Sequence, residues 1–285
     1  RMSVRVAKSA GFCFGVSRAV EMVEQAAAQG RQVATLGPII HNRHVVEKFE
    51  KLGVRVLESP EEASGDLTVI IRSHGVTRAV MGELESRGAR ILDATCPFVK
   101  RIHGIVEKAE AEGRLPVIMG TRSHPEVEGI AGWCGHCRIF ETPEELEKWA
   151  CAQQNPDQMA LCMVSQTTST ENSWKKSVQI AKKQFTNLKI FDTICRATES
   201  RQTEAAQLSA ESDAMVVVGD AKSSNTGRLA MICREHCQKV VLVDNASELD
   251  RTFFDGANHV GITAGASTPA WIIKEVTKTM SEIIN

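Results

Sequence analysis

Short apolar runs rich in β-branched residues alternate along this 285-residue chain with longer stretches of helical period. That alternation is the pattern of parallel strands covered by helices. Strands are predicted at Val33 to Leu36, Leu67 to Ile71, Ala89 to Leu92, Pro116 to Met119, Leu188 to Phe191, Met215 to Val218, Val240 to Val243 and Val260 to Thr263. Helical spacing is plain after two cysteines: Val16, Val20, Val23 and Ala27 follow Cys13, and Phe98, Ile102, Ile105 and Ala109 follow Cys96. After Cys195 the apolar face starts only near Ala205 and Leu208. Thr142, Pro143 and Glu145 spell a helix start.

These cysteines also mark a repeat. Cys96 minus Cys13 is 83, Cys195 minus Cys96 is 99, and 285 minus 195 leaves 90 residues, so three units of similar length follow. A polar loop recurs 28 residues beyond each cysteine, at His41, His124 and Ser223 (41 minus 13, 124 minus 96, 223 minus 195). A second comes at His74, Thr167 and Ser267, offset by 61, 71 and 72 (74 minus 13, 167 minus 96, 267 minus 195). The expected fold class is α/β: three similar α/β units with small parallel sheets, in pseudo-threefold arrangement around a central site. The units are 14–96, 97–194 and 195–285, with 1–13 packing against the third. Ligands of parallel α/β units lie beyond the carboxyl ends of the strands. The repeat therefore aims three thiols and six polar loops at one cavity. No Gly/Ser/Pro-rich linker separates the units, which predicts tight packing.

Composition narrows the function. With 34 basic and 35 acidic residues the net charge is −1, which leaves no global field for nucleic acid or an anionic membrane. No apolar run is long enough for a membrane span, and the first residues lack a secretory stretch; Arg1 before Met2 reads as an addition to a natural start at Met2. Nine cysteines, an odd number scattered along a sizeable chain, fit a reducing cytoplasm better than a disulfide framework.

Three thiolates from separate units suit zinc or an iron–sulfur cluster, and a 4Fe-4S cluster held by three cysteines keeps one iron open. Most cytosolic cysteines are only small buried hydrophobes, but the shared strand-to-helix setting of Cys13, Cys96 and Cys195 speaks against that here. The six loops carry His41 and Asn42, Ser73 and His74, Ser123 and His124, Thr167 and Thr168, Ser223 to Asn225, and Ser267 and Thr268. Hydroxyls, imidazoles and helix-start N–H groups of this kind hold phosphate. One such loop is most often a mere turn or cap; six at six strand ends form a site. Glu126, beside His124 and Pro125, is a candidate general acid, since a nearby phosphate favours its protonated form.

The stretches Ala10-Gly-Phe-Cys13-Phe-Gly-Val, Leu36-Gly-Pro-Ile-Ile-His41-Asn42, Arg72-Ser-His74-Gly-Val, Asp93-Ala-Thr-Cys96-Pro, Ser123-His124-Pro-Glu126-Val, Ser165-Gln-Thr167-Thr168, Asp192-Thr-Ile-Cys195, Ser223-Ser224-Asn225-Thr and Thr263-Ala-Gly-Ala-Ser267-Thr-Pro resemble the LytB/IspH family. The resemblance runs from about Val4 to the end. It implies reduction of 4-hydroxy-3-methylbut-2-enyl diphosphate to isopentenyl and dimethylallyl diphosphate, the last step of the methylerythritol phosphate route. It further implies a 4Fe-4S cluster on Cys13, Cys96 and Cys195, and a diphosphate held by His41, His74, His124, Thr168, Ser223, Ser224, Asn225 and Ser267. Glu126 and Thr167 are then catalytic, protonating the departing hydroxyl. Two positions depart from the family pattern: bulky Phe14 follows the first cysteine, and Ala221 stands where the family usually has lysine.

The chain has no Gly-x-Gly-x-x-Gly after a strand, so electrons are expected from a separate protein, ferredoxin or flavodoxin by the resemblance, meeting a monomer. A competing enzyme reading is quinolinate synthase, which also uses a three-cysteine cluster. Two non-enzymatic readings are a phosphate sensor with zinc and a thiol-exchange protein built on Cys134 and Cys137. Trp133-Cys134-Gly-His-Cys137 looks like an isomerase motif, yet it precedes a strand-like piece at Ile139 and Phe140 instead of opening a helix. Cys233 and Cys237 lie in a helical pattern far from that pair in sequence, which is poor zinc spacing.

Overall fold

The computed structural model describes residues 3–283; Arg1, Met2, Ile284 and Asn285, and with them the reading of Met2 as the start, lie outside the described residues. Twelve described strands make three four-stranded sheets in which every pair is parallel. The first sheet holds β2 (Val33–Leu36), β3 (Arg55–Leu57), β4 (Thr68–Ile71) and β5 (Arg90–Asp93) in the order β3-β2-β4-β5. The second repeats that order with β6 (Leu115–Met119), β7 (Arg138–Phe140), β8 (Ala160–Ser165) and β9 (Asn187–Ile190), as β7-β6-β8-β9. The third holds β10 (Ala214–Val218), β11 (Lys239–Val243) and β12 (His259–Ala264), and takes its fourth strand from the other end of the chain: β1 (Ser3–Val6) closes the order β11-β10-β12-β1. Ser3 lies opposite His259 and Val6 opposite Ile262.

All eight expected strands form, with bounds shifted by no more than about one residue. Their central members are buried on both faces, as parallel sheets covered by helices require. Helices α1 (Phe14–Ala28), α4 (Pro97–Ala111) and α8 (Arg196–Ala210) start directly after Cys13, Cys96 and Cys195. Helices α2 (Arg43–Lys51), α5 (Pro125–Ala131) and α9 (Ser224–His236) follow the first polar loop of each third. The others are α3 (Arg78–Ser86), α6 (Pro143–Cys151), α7 (Glu171–Gln184) and α10 (Ala270–Ile283). At α6 the Thr142 hydroxyl accepts from the Glu145 N–H, with Pro143 in the first turn. None of the described helices is long and apolar enough to cross a membrane.

The chain divides into two compact parts. Residues 18–39 and 49–195 form a middle part, which contains the first two sheets; 3–17, 40–48 and 196–283 form a terminal part, which contains the third. In the middle part, α4 and α5 bury Ile102, Val106, Val127 and Ile130 against Ile118 and Val164. Each such aliphatic side chain stabilises by about 1.5–3 kcal/mol, enough to fix where α4 begins. In the terminal part α8 is a different case. Its buried residues include Thr198, Arg201, Gln202 and Ser209, with only Ala205 and Leu208 apolar. Polar bonds supplement that small apolar face: Arg201 donates to the Ser9 carbonyl, and Glu204 accepts from the N–H groups of Lys8 and Ser9.

Candidate active site

One backbone hydrogen bond recurs in all three thirds. The Cys13 N–H donates to the Ala266 carbonyl at 3.2 Å, Cys96 N–H to Ser73 at 2.9 Å, and Cys195 N–H to Thr167 at 3.0 Å. Each cysteine is thus fastened to a second polar loop, and in each case to one counted from a different cysteine: Cys13 to the loop of Ser267, Cys96 to that of His74 and Cys195 to that of Thr167. No disulfide engages these thiols, and each is half-buried. Three soft sulfur donors, each held at a strand-to-helix junction and none fully covered, fit the demands of an iron–sulfur cluster.

Within the middle part, Pro125 and Glu126 open α5, with His124 as its N-cap: the His124 Nδ1 accepts from the Glu126 N–H at 3.2 Å. That bond leaves Nε2 as the ring's donor. The rings of His74 and His124 stand edge to face with centroids 5.4 Å apart. Glu126 is buried, and both its oxygens meet Thr167: the Thr167 N–H donates to Oε1 at 2.6 Å and the Thr167 hydroxyl to Oε2 at 2.8 Å. A hydroxyl also accepts, so this contact can pass a proton from the acid outward through Thr167. Thr168 is half-buried, and its hydroxyl accepts from the Gln166 side chain at 3.0 Å.

Within the terminal part, Ser223 caps α9 and its hydroxyl also receives that of Ser267 at 3.3 Å; Ser267 reaches the His41 carbonyl at 3.1 Å as well. Ser224, the first residue of α9, accepts from Arg228 at 3.2 Å. Asn225 is 5% exposed; its Oδ1 accepts from the Ala266 N–H at 2.9 Å, while its buried Nδ2 has no hydrogen-bond partner among the described residues. A buried amide donor left over beside two serine hydroxyls and a helix N-terminus suits an anion. Asn42 caps α2, accepting from the Val45 N–H at 3.3 Å, which fixes the neighbouring His41 at the helix start.

The model of the family described as LytB protein matches residues 4–281. This chain belongs to the LytB family. Among LytB relatives, 4-hydroxy-3-methylbut-2-enyl diphosphate reductase of Geobacter sulfurreducens is 41% identical over 285 residues, covering 100% of this chain and 99% of its own. The protein of the same name from Caldanaerobacter subterraneus subsp. tengcongensis is 41% identical over 281 residues, with 96% and 95% covered. A solved structure of E-1-hydroxy-2-methyl-but-2-enyl-4-diphosphate reductase from Plasmodium falciparum matches with a TM-score of 0.92 at 27% identity, over 100% of this chain and 89% of that one. Another, of (E)-4-hydroxy-3-methyl-but-2-enyl diphosphate reductase, described as the terminal enzyme of the non-mevalonate pathway, matches with a TM-score of 0.70 at 37% identity, over 99% and 100%.

Both departures from the LytB pattern fall on the surface. Phe14 is 64% exposed at the start of α1, so its bulk displaces no core, and Ala221 and Lys222 are exposed ahead of α9. The sequence reading overlooked residues that position the site. Gln166 is fully buried; its Oε1 accepts from the Thr121 N–H at 3.1 Å, and so it ties the loop of His124 to the loop of Thr167. Thr193 exchanges two hydrogen bonds with the Ser165 backbone, and Arg18 donates to the carbonyls of Asp93 and Thr95 just ahead of Cys96. The Arg72 guanidinium lies 2.6 Å from where a Cβ at Gly37 would stand, and its own acidity is raised by burial against the opposing charge of Glu128. Arg72, Gln166 and Thr193 stand inside quoted motifs, but no role was read for them there, and Arg18 lies two residues beyond the Cys13 motif.

Gly75, next to His74, has φ +74°, and a Cβ there would stand 2.7 Å from His103 Cε1. His103 is 4% exposed, stacks on Trp133 with centroids 5.2 Å apart, and is held neutral by burial, its pKa pushed down to about 4. The charge of Asp93 opposes that shift and that of Lys100 adds to it. An unfolded histidine binds its proton near pH 6.5, so below that pH the unfolded chain gains a proton that the folded chain refuses. Stability is expected to fall as pH drops from about 6.5 toward 4, by an amount on the order of 3 kcal/mol from this residue. Urea unfolding at several pH values should show a shallower acid loss in His103→Gln than in the parent.

Proposed function

We propose that this chain reduces 4-hydroxy-3-methylbut-2-enyl diphosphate to isopentenyl and dimethylallyl diphosphate, the last step of the non-mevalonate route, with a 4Fe-4S cluster on Cys13, Cys96 and Cys195. The observation that carries the reading is the recurring bond from each cysteine N–H to a polar strand-end loop, in a chain that matches reductases of that name along its full length. When bound, the cluster supplies single electrons and a Lewis-acidic iron for the substrate's hydroxyl end.

The remaining work falls to the chain's own groups. His41, His74 and His124 and the hydroxyls of Thr168, Ser223, Ser224 and Ser267 hold the diphosphate. The His124 Nε2–H and the Asn225 Nδ2 donate to its oxygens, with the first N–H groups of α9 behind them. Glu126 gives its proton to Thr167, whose own proton passes to the departing hydroxyl and releases it as water. The balance is two electrons and two protons taken up, one C–O bond broken and one C–H bond formed. Protonation of the allylic fragment at either end gives the two products.

A separate carrier, ferredoxin or flavodoxin, brings the electrons, since the sequence lacks a dinucleotide fingerprint. All nine cysteines are out of disulfides, which suits the cytoplasm.

Anaerobically purified protein should contain iron and acid-labile sulfide and convert the substrate when given a chemical or protein reductant. Zinc in their place, or no turnover by a cluster-loaded sample, would sink the proposal. Asn225→Asp keeps the acceptor for the Ala266 N–H but loses both donors and adds a negative charge. Its KM is expected to rise about tenfold to a hundredfold, the value of one or two hydrogen bonds to a charged group, with kcat changed less. Steady-state kinetics read the split.

A further inference from the structure

Two cysteines that the proposed chemistry leaves idle stand together in the middle part. Cys134 and Cys137 flank the tight connection from α5 to β7, both half-buried and both reduced. Their thiols hydrogen-bond to each other, and the Cys134 Sγ also faces the Ala131 carbonyl at 3.5 Å. The two residues between them are clamped: the N–H groups of Gly135 and His136 both donate to Glu110 Oε1, at 2.6 and 3.0 Å. Trp133, just before the pair, is fixed by its stack on His103 and by donating from Nε1 to the Val76 carbonyl at 2.9 Å. A single carboxylate thus preorganises a four-residue loop with two sulfurs already in mutual contact, and preorganisation removes much of the entropic cost of joining them.

We propose that Cys134 and Cys137 form a redox-active dithiol, separate from the cluster ligands, that closes to a disulfide by exchange with small disulfides of the glutathione class. Cys137 is the attacking thiol. The hydrogen bond from Cys134 lowers its pKa to about 7 against the opposing effect of burial, and Arg138 adds to the shift; the Cys134 thiol is pushed up by the same bond and by burial. The Cys137 thiolate attacks one sulfur of the small disulfide, breaks that S–S bond and releases one thiol, leaving a mixed disulfide. Cys134 then loses its proton to solvent, attacks the Cys137 sulfur and expels the second thiol. The protein pair gives up two electrons and two protons, and the small disulfide is reduced to two thiols. No helix starts at Cys134, so the pair lacks the helix-terminus stabilisation that makes disulfide isomerases strong oxidants. A switch is therefore the fitting role, not a foldase.

The test is anaerobic incubation of the holoenzyme with a graded series of reduced and oxidised glutathione, followed by acid quench and peptide mass spectrometry. The expected result is an intramolecular disulfide in the tryptic peptide 123–138, reversed by dithiothreitol. Cys134→Ser should trap one glutathionyl group on Cys137. At pH 7 that adduct should form about three-fold faster than the one on Cys134 in Cys137→Ser. A thiol with pKa near 7 carries roughly fifteen times more thiolate than one near 8.5, and its weaker nucleophilicity takes back about five-fold of that. A pair that stays reduced when oxidised glutathione dominates, a disulfide from either residue to any other cysteine, or equal trapping rates in the two variants would overturn the proposal. These readouts do not depend on turnover, so they stand or fall apart from the reductase assay.

Discussion

Cys96→Ser is expected to abolish turnover, by roughly a thousandfold or more, while leaving the fold in place. Loss of a partner merely supporting a metal ligand costs 10- to 100-fold, and loss of a ligand must cost more. Serine separates chemistry from structure at this position. The bond from residue 96 to the Ser73 carbonyl is a backbone bond and survives the change. Residue 96 is also the N-cap of α4, where the cysteine side chain makes no capping bond and a serine hydroxyl can make one. Iron per chain should drop and the thermal midpoint of the metal-free protein should not. A Cys96→Ser protein with full iron content and parental turnover would remove Cys96 from the ligand set. Cys134→Ser, by contrast, should keep parental turnover.

Glu126→Gln should lower kcat by about a hundredfold to ten-thousandfold, the usual worth of a positioned general acid, with KM nearly unchanged. Glutamine fills the same buried space and can still accept from the Thr167 N–H now bonded at 2.6 Å. It has no acidic proton to pass to the Thr167 hydroxyl. Thr167→Val should also lower kcat, since it breaks the relay but leaves the acid, and Thr167→Ser should restore most of it. A kcat within tenfold of the parent in Glu126→Gln, measured anaerobically with excess reductant, would rule out the relay.

Fold class and most of the secondary structure were readable because parallel strands buried on both faces stand out as apolar runs. Two strands escaped altogether, β1 and β3, and β7 showed only as the strand-like Ile139 and Phe140. All three are edge strands of three or four residues, each carrying an arginine and each partly exposed, so their apolar runs are short or missing; short charged edges of this kind resist unwanted pairing. β8 was implied by the polar loop after it but not bounded, although its residues are apolar. In the site, the shared offset of 28 picked out His41, His124 and Ser223 because a helix of 15 residues and then one strand separate each cysteine from its loop. Arg18, Gln166 and Thr193 act through main-chain atoms far along the chain, and no periodicity marks a residue whose partner is a distant main-chain atom; Arg72 bonds within its own loop, to the Gly75 carbonyl.

Because β1 pairs only with β12 among the described strands, a growing chain must wait for His259–Ala264, within its last thirty or so residues, before its opening strand finds a neighbour. Until the ribosome has released Ala266, the amide of Cys13 also lacks its acceptor. The middle part carries no such debt and can mature first during synthesis. Any transcript cut short before β12 yields a polypeptide whose first thiol hangs on an untethered arm, which makes truncated translation products natural substrates for quality-control proteases.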